Sequence, residues 1–344
     1  MGKELPRGCE ICLKGAKLVL FVTGECDRSC FYCPLSEKRR GLDVVYADEV
    51  LVESDLDVIL EGKAIDAEGS GVTGGDPLLR LGRTLQYIKL LKGAFGRGHH
   101  IHLYTNGRHA SEETLVKLKA AGLDEIRFHP TKENWGKIAL AKKLGMYAGA
   151  EIPAVPGDEE AAKEFIKFLV KTKADFLNIN QLEFCPQNAL QLKQKGLTLD
   201  GRTMAAVLGS EEAALSLVRW AYGAGVEMPV HYCSSAVKDA VQTKRRLIRR
   251  AMNVSRPYEE ALEDGLLGKF VVRLESENPR AAKCKVIKAL GIEPHMVGIS
   301  PSGEAIEVPK ALIKRVMAIF PGASAAYVQE YPTYGRESFA EYPF

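Results

Sequence analysis

The chain has 344 residues, 46% hydrophobic and 26% charged, with 32 Gly and 16 Pro, a composition that excludes disordered and collagen-like proteins. Lys and Arg number 47 against 44 Asp and Glu, so there is no global basic field, and any nucleic-acid surface must be a local patch. Eight Cys is far below the density of a disulfide scaffold, and no run approaches the roughly 18 apolar residues of a membrane span.

At about 150 residues per domain, the length predicts two domains or one large α/β domain with an appendage. Residues 1–9 hold no apolar signal core, which predicts a reducing, cytoplasmic location where clustered Cys serve as metal ligands or reactive thiols. Residues 17–23 read as a first strand, followed by a loop dense in Cys. Ser54 caps a helix to about residue 65. Residues 71–73 form a second strand that ends in Gly74-Gly75-Asp76-Pro77. Helix, strand and helix follow over 81–95, 100–105 and 111–122, then a strand over 124–128 and a helix over 135–144. A fifth strand covers 147–152, a helix runs from 158 to about 172, and a sixth strand covers 176–184. Residues 186–209 look irregular, Ser210 starts a helix, 226–233 is a possible seventh strand, and 235–253 is helical. Strands alternating with helices through short links predict an α/β fold, a partial (β/α)6-type TIM-like barrel.

Past Asp264-Gly265 the register changes. Strand 267–274, a helix capped by Asn278-Pro279, strand 297–306 with a turn at Ser302-Gly303, helix 309–320 and two short strands predict a small C-terminal βαβαββ domain of α+β type. The expected division is an N-terminal Cys-x2-Cys segment (1–16), a core barrel (17–185), a helical extension with a possible extra strand and a basic helix (186–264), and the small domain (265–344).

The most informative stretch is Cys26-Asp27-Arg28-Ser29-Cys30-Phe31-Tyr32-Cys33, directly after the first strand. Three thiolates in one loop can face a single centre, and thiolates select Fe–S clusters, zinc or copper(I). A zinc loop with a fourth ligand elsewhere is the plain alternative. The C-x3-C-x2-C spacing, with Tyr32 before the last Cys, resembles the radical SAM superfamily. Gly74-Gly75-Asp76-Pro77 is similar to the family's glycine-rich motif for the amino group of S-adenosylmethionine (SAM), with Asp where many members have Glu. Tyr104-Thr105-Asn106-Gly107 and Glu151-Ile152-Pro153-Ala154-Val155-Pro156-Gly157 resemble the segments that flank the SAM ribose and adenine.

The resemblance covers residues 17–185 and implies a [4Fe–4S] cluster on Cys26, Cys30 and Cys33. It further implies a SAM site that includes Tyr32, Gly74, Gly75, Asp76, Asn106, Glu151 and Val155. One electron, from a donor such as ferredoxin or flavodoxin, would cleave SAM to methionine and a 5′-deoxyadenosyl radical that abstracts hydrogen from a substrate. Arg7-Gly8-Cys9-Glu10-Ile11-Cys12 and His231-Tyr232-Cys233-Ser234-Ser235 further resemble a prokaryotic group related to pyruvate formate-lyase activating enzymes. Glycyl-radical activation does not transfer with the label, because the N-terminal pair and the tail differ from a minimal activase.

Cys9 and Cys12, with Cys233 and either Cys185 or His231, could complete a second site, an auxiliary Fe–S cluster or tetrahedral zinc. The alternative is free thiols in a mobile N-terminus. Cys185 and His129, each at a strand end, are candidate catalytic residues. Cys284 reads as core. Residues 238–250 carry six cations: Lys238, Lys244, Arg245, Arg246, Arg249 and Arg250. They could hold phosphates or form a solvated face. The expected activity is radical modification of a macromolecule, with RNA slightly ahead of protein and no membrane partner. An activase-like or small-molecule radical enzyme is the rival, and an Fe–S or zinc binding protein is the non-enzymatic alternative.

Overall fold

A computed structural model describes residues 4–275 and 277–344. They form two compact units, one of residues up to 63 with 67–242 and one of 64–66 with 243–344. The boundary thus lies at Gln242/Thr243 and not at 264/265, and residues 186–242 belong with the barrel. Among the described residues no helix is long and apolar enough to cross a membrane.

The larger unit runs α1 (Arg7–Leu13), β1 (Lys17–Phe21), β2 (Tyr46–Ala47), β3 (Val50–Leu51), α2 (Asp55–Ala64), β4 (Gly69–Thr73), α3 (Leu81–Phe95) and β5 (His100–Thr105). It continues with α4 (Glu112–Ala121), β6 (Glu125–Phe128), α5 (Gly136–Lys143), β7 (Tyr147–Ala154), α6 (Glu159–Lys171), β8 (Leu177–Gln181), α7 (Ala189–Gln194), α8 (Ser210–Gly223), β9 (Val230–Cys233) and the single turn α9 (Ser235–Val237). Strands β1 and β4 to β9 are parallel and adjacent in sequence order. An order without reversal is that of a singly wound barrel. It is partial here, because β9 forms one edge and the antiparallel β2–β3 hairpin the other. The possible seventh strand is real, since β9 pairs with β8. The hairpin and α7 are elements that the sequence pattern did not show.

Local chemistry sets the helix ends. Ser111 accepts the Thr114 N–H at the start of α4, and Gly122 at φ 106° ends it in the left-handed region that glycine tolerates. Leu18, Leu20, Val72, Ile101, Leu103, Ile126 and Ile179 are fully buried on the helix-facing side of the strands. Each contributes about 1.5–3 kcal/mol by leaving water.

The inward side is different. Barrel interiors are usually packed with branched apolar side chains, but here Arg127 is almost completely buried between two carboxylates. Its Nε lies 2.5 Å from Glu125 Oε1 and its Nη1 lies 2.9 Å from Glu151 Oε2. Burial opposes ionisation of Glu151, but Arg127 and the Asn180 amide outweigh it and hold its carboxyl below the usual range. Glu125 also accepts from the Gly8 backbone N–H, which ties α1 to the start of β6. Burial alone would lower the Lys17 pKa, but Tyr104 and Cys12 beside it raise it above the ordinary value. The N-terminal Cys-x2-Cys segment is therefore not a loose tail. It is a helix with Cys9 and Ile11 buried.

The smaller unit contains α10 (Lys244–Val254), β10 (Glu260–Ala261), β11 (Leu267–Arg273), α11 (Pro279–Leu290), β12 (Gly298–Ile299), β13 (Ala305–Val308), α12 (Ile313–Ile319), β14 (Ser324–Glu330) and β15 (Ser338–Pro343). Its antiparallel sheet has the order β12-β13-β11-β14-β15, with β10 beside β11. This is a split βαβ arrangement with an added edge strand. Residues 297–306 make a hairpin where one strand with a turn was expected, so the order is βαββαββ. Phe270, Val272, Val286, Ile306, Val308 and Val316 form the core. Cys284 is exposed and not core. Lys269 is buried with its ammonium 2.8 Å from Glu307 and 2.9 Å from Glu330.

Candidate active site at the strand tips

The Cys-rich loop leaves the C-terminal end of β1 and is held by the tips of its neighbours. Gly75 donates its N–H to Thr23 O, and Asp76 donates its N–H to Glu25 O, both at 2.7 Å. A Cβ on Gly74 would lie 2.4 Å from Thr23 O, and one on Gly75 would lie 2.1 Å from Glu25 O. Only glycine allows the β4 tip to come this close to the Cys loop.

Asp76 is completely buried. Its Oδ1 accepts from Leu78 N at 2.9 Å, its Oδ2 accepts from Asn106 N at 2.9 Å, and the Thr105 hydroxyl reaches both oxygens. Burial pushes its pKa up against the pull of these donors. In this structure the carboxylate is filled by donors of the chain itself. One methylene shorter than Glu, it stays inside and locks the tips of β4 and β5 together. Asn106 extends the lock: its amide donates to Asp27 Oδ1 at 2.9 Å and lies 3.9 Å from Cys26 Sγ. His109 Nε2 lies 2.8 Å from Asp27 Oδ2.

On the other flank, the Tyr32 hydroxyl lies 2.6 Å from His129 Nε2, and His129 Nδ1 lies 2.7 Å from Glu151 O. Arg28 donates to His129 O at 2.6 Å. Burial lowers the His129 pKa. His129 thus acts as a neutral strut between the Cys loop and β7. A cleft of about 310 Å³ opens beside it, lined by Phe31, Tyr32, His129, Ile152, Pro153 and Val155. Tyr32 and Val155 share this cleft, whereas the Glu151 carboxylate turns inward to Arg127 and Asn180 and is not offered to a ligand there.

Cys185 lies toward the Cys loop. It and Asn188 fold back on each other, and the Asn188 amide donates to Tyr32 O. Arg40 donates to Cys33 O at 3.4 Å on the same loop. Cys185 therefore groups with the first three cysteines. In the barrel interior, Cys9 accepts from Arg127 at 3.3 Å, and Gln242 sits between Cys12 (3.0 Å) and Cys233 (3.7 Å). Among the described residues no three His, Cys, Asp or Glu side chains converge as a metal site, at the Cys loop or elsewhere. Asp27, Arg28, Arg40, Asn188, Arg127 and Gln242 were not singled out in the sequence. Only Asp27 and Arg28, inside the motif, carried a signal that could have marked them.

The expected phosphate-binding face breaks up. Residues 238–243 form a π-helix, which separates Lys238 from the register of α10. Lys238 pairs with Glu183 at 2.7 Å. Arg249 donates to Ile65 O at 2.9 Å and to Asp66 Oδ2 at 2.8 Å, and Arg250 is buried against Pro332 O. Lys244, Arg245 and Arg246 remain on α10.

The family model for the radical SAM superfamily matches residues 20–132. A Methanocaldococcus jannaschii protein named "Putative glycyl-radical enzyme activating enzyme MJ0021" is 38% identical over 345 aligned residues, covering 96% of this chain and 90% of that protein. The chain belongs to the radical SAM superfamily. Within it, this radical SAM enzyme falls in the group related to pyruvate formate-lyase activating enzymes.

Its similarity to solved structures is more distant. Streptococcus suis SuiB bound to precursor peptide SuiA is 12% identical, with a TM-score of 0.49 over 65% of this chain and 50% of that one. The enzyme anSMEcpe with bound AdoMet and the Kp18Cys peptide is 14% identical, with a TM-score of 0.43 over 62% of this chain and 63% of that one. The residues at the strand tips fit the cofactors of the superfamily: three thiols on one loop, and a backbone cradle that only glycine can form.

Proposed function

We propose that this radical SAM enzyme abstracts a hydrogen atom from a glycine Cα of a protein partner, as an activating enzyme. The observation that carries this reading is the 38% identity along nearly the whole of both chains to the Methanocaldococcus jannaschii protein of that name. Bound together, the [4Fe–4S] cluster and SAM supply a 5′-deoxyadenosyl radical, and the glycine C–H hydrogen ends in 5′-deoxyadenosine. Cys26, Cys30 and Cys33 would hold the cluster. The glycine cradle locked by Asp76 and Asn106 would seat SAM against it, and the cleft beside Tyr32 and Val155 would take the adenine. A ferredoxin or flavodoxin would supply the electron.

Two features support a protein substrate over the RNA that the sequence slightly favoured. Lys238, Arg249 and Arg250 of the basic segment are committed to acceptors within this chain. The segment that packs on Phe31 and Tyr32 also exposes Leu190, Leu199, Met204 and Leu208, an apolar rim suited to a protein surface.

The test is anaerobic incubation of the reduced enzyme with SAM and a glycyl-radical enzyme deuterated at glycine. Deuterium in 5′-deoxyadenosine, together with a glycyl radical in the partner's paramagnetic resonance spectrum, is expected. Label transfer from deuterated RNA and none from the protein would overturn the reading.

A further inference from the structure

We propose a second thiophilic metal site in the barrel interior, held by Cys9, Cys12 and Cys233 and distinct from the loop at the strand tips. Three features of the fold argue for it. First, α1 and β9 lie more than 200 residues apart in sequence yet are brought together: a single amide, Gln242, contacts both Cys12 (3.0 Å) and Cys233 (3.7 Å). Cys9 lies one helical turn from Cys12, on the face of α1 that meets Arg127.

Second, polar and charged side chains reach the thiols inside the barrel. Arg127 contacts Cys9, and Lys17 lies against Cys12. Three thiolates around Zn²⁺, or around a [4Fe–4S]²⁺ cluster, leave one net negative charge, set among these two cations and the carboxylates Glu125 and Glu151 that also hold Arg127.

Third, Gln242 lies on the π-helix over Lys238–Thr243. Single π turns are rare and gather at functional sites. This one carries the only side chain that hydrogen-bonds to both Cys12 and Cys233 among the described residues. The three thiols do not converge on a point, but neither do those of the Cys loop. Loading would displace the Gln242 amide and release the thiol protons to water. No electron transfer is involved.

Cys185 is not assigned to this site, because it is tied through Asn188 to Tyr32 of the first Cys loop. His231 lies two residues before Cys233 on β9, on the same face of the strand, and could complete the coordination.

The test uses the full chain carrying Cys26→Ala, Cys30→Ala and Cys33→Ala, which removes the first centre. Purified without oxygen, or reconstituted with zinc or with iron and sulfide, it should retain about one zinc or about four irons per chain. The metal retained tells the two kinds of centre apart. Adding Cys12→Ser and Cys233→Ser should remove the metal at least tenfold, whereas adding Gln242→Ala should leave it bound. If the serine variants do not fold, iodoacetamide labelling of the otherwise unchanged chain decides. Cys12 and Cys233 should be protected before chelation and labelled after it. Trace metal only under both reconstitutions, metal retention despite the serine substitutions, or a Cys12–Cys233 disulfide in the purified chain would overturn the proposal.

Discussion

Asp76→Asn is expected to reduce SAM cleavage about a hundredfold with little change in the amount of folded protein. The carboxylate accepts from Leu78 N, Asn106 N and the Thr105 hydroxyl, all inside the protein. An amide of the same shape turns an N–H toward one of these donors and leaves it unpaired. Hydrogen bonds to a charged group are worth roughly 1.5–3 kcal/mol, and about 1.4 kcal/mol corresponds to a factor of ten in rate. The loss falls on the site because the lock positions the β4 cradle and, through Asn106, the loop at Cys26 and Asp27. Asp76→Glu should not rescue activity, since the extra methylene enters a position with no exposed surface. A rate within threefold of the parent for Asp76→Asn, measured as 5′-deoxyadenosine formed, would show that the lock does not position the site.

Arg127→Met is expected to lower the stability of the barrel unit by about 3–5 kcal/mol, the usual cost of removing one partner from a buried ion cluster. The buried Glu125 and the partly buried Glu151 would keep their hydrogen bonds from His100, Gly8 and Asn180 but lose the cation between them. Adding Glu125→Gln should recover part of the loss, because the uncompensated charge falls from two to one. Urea unfolding of the full chain checks both variants. A change under about 1 kcal/mol for Arg127→Met would mean that water already solvates the cluster.

Much of the architecture was legible in the sequence because its signals are local. Short apolar runs between helical stretches marked the parallel strands, and the Ser111 and Asn278 caps stand where the sequence placed them. The C-x3-C-x2-C motif and Gly74-Gly75 were legible for the same reason, since their chemistry lies within a few residues.

What the sequence hid depends on distant partners. Asp76 reads as a ligand-binding carboxylate until Thr105 and Asn106 arrive from the next strand. Glu151 reads the same way until Arg127 meets it across the interior. Arg249 looks like a solvated cation until the turn at Ile65 and Asp66 supplies its acceptors. The α1 helix was missed because Gly8 and two Cys give it little helical propensity. Its order comes from burying Ile11 and from bonding to Glu125.

The most direct test of the account is anaerobic. The parent chain and Cys30→Ala are reconstituted with iron and sulfide, reduced, and given SAM in the presence of the protein partner. The account predicts on the order of one 5′-deoxyadenosine per chain in a single turnover for the parent and none for Cys30→Ala, because the loop after β1 is where the superfamily's chemistry is held. Equal product from both chains, or none from a parent carrying its full iron, would contradict it.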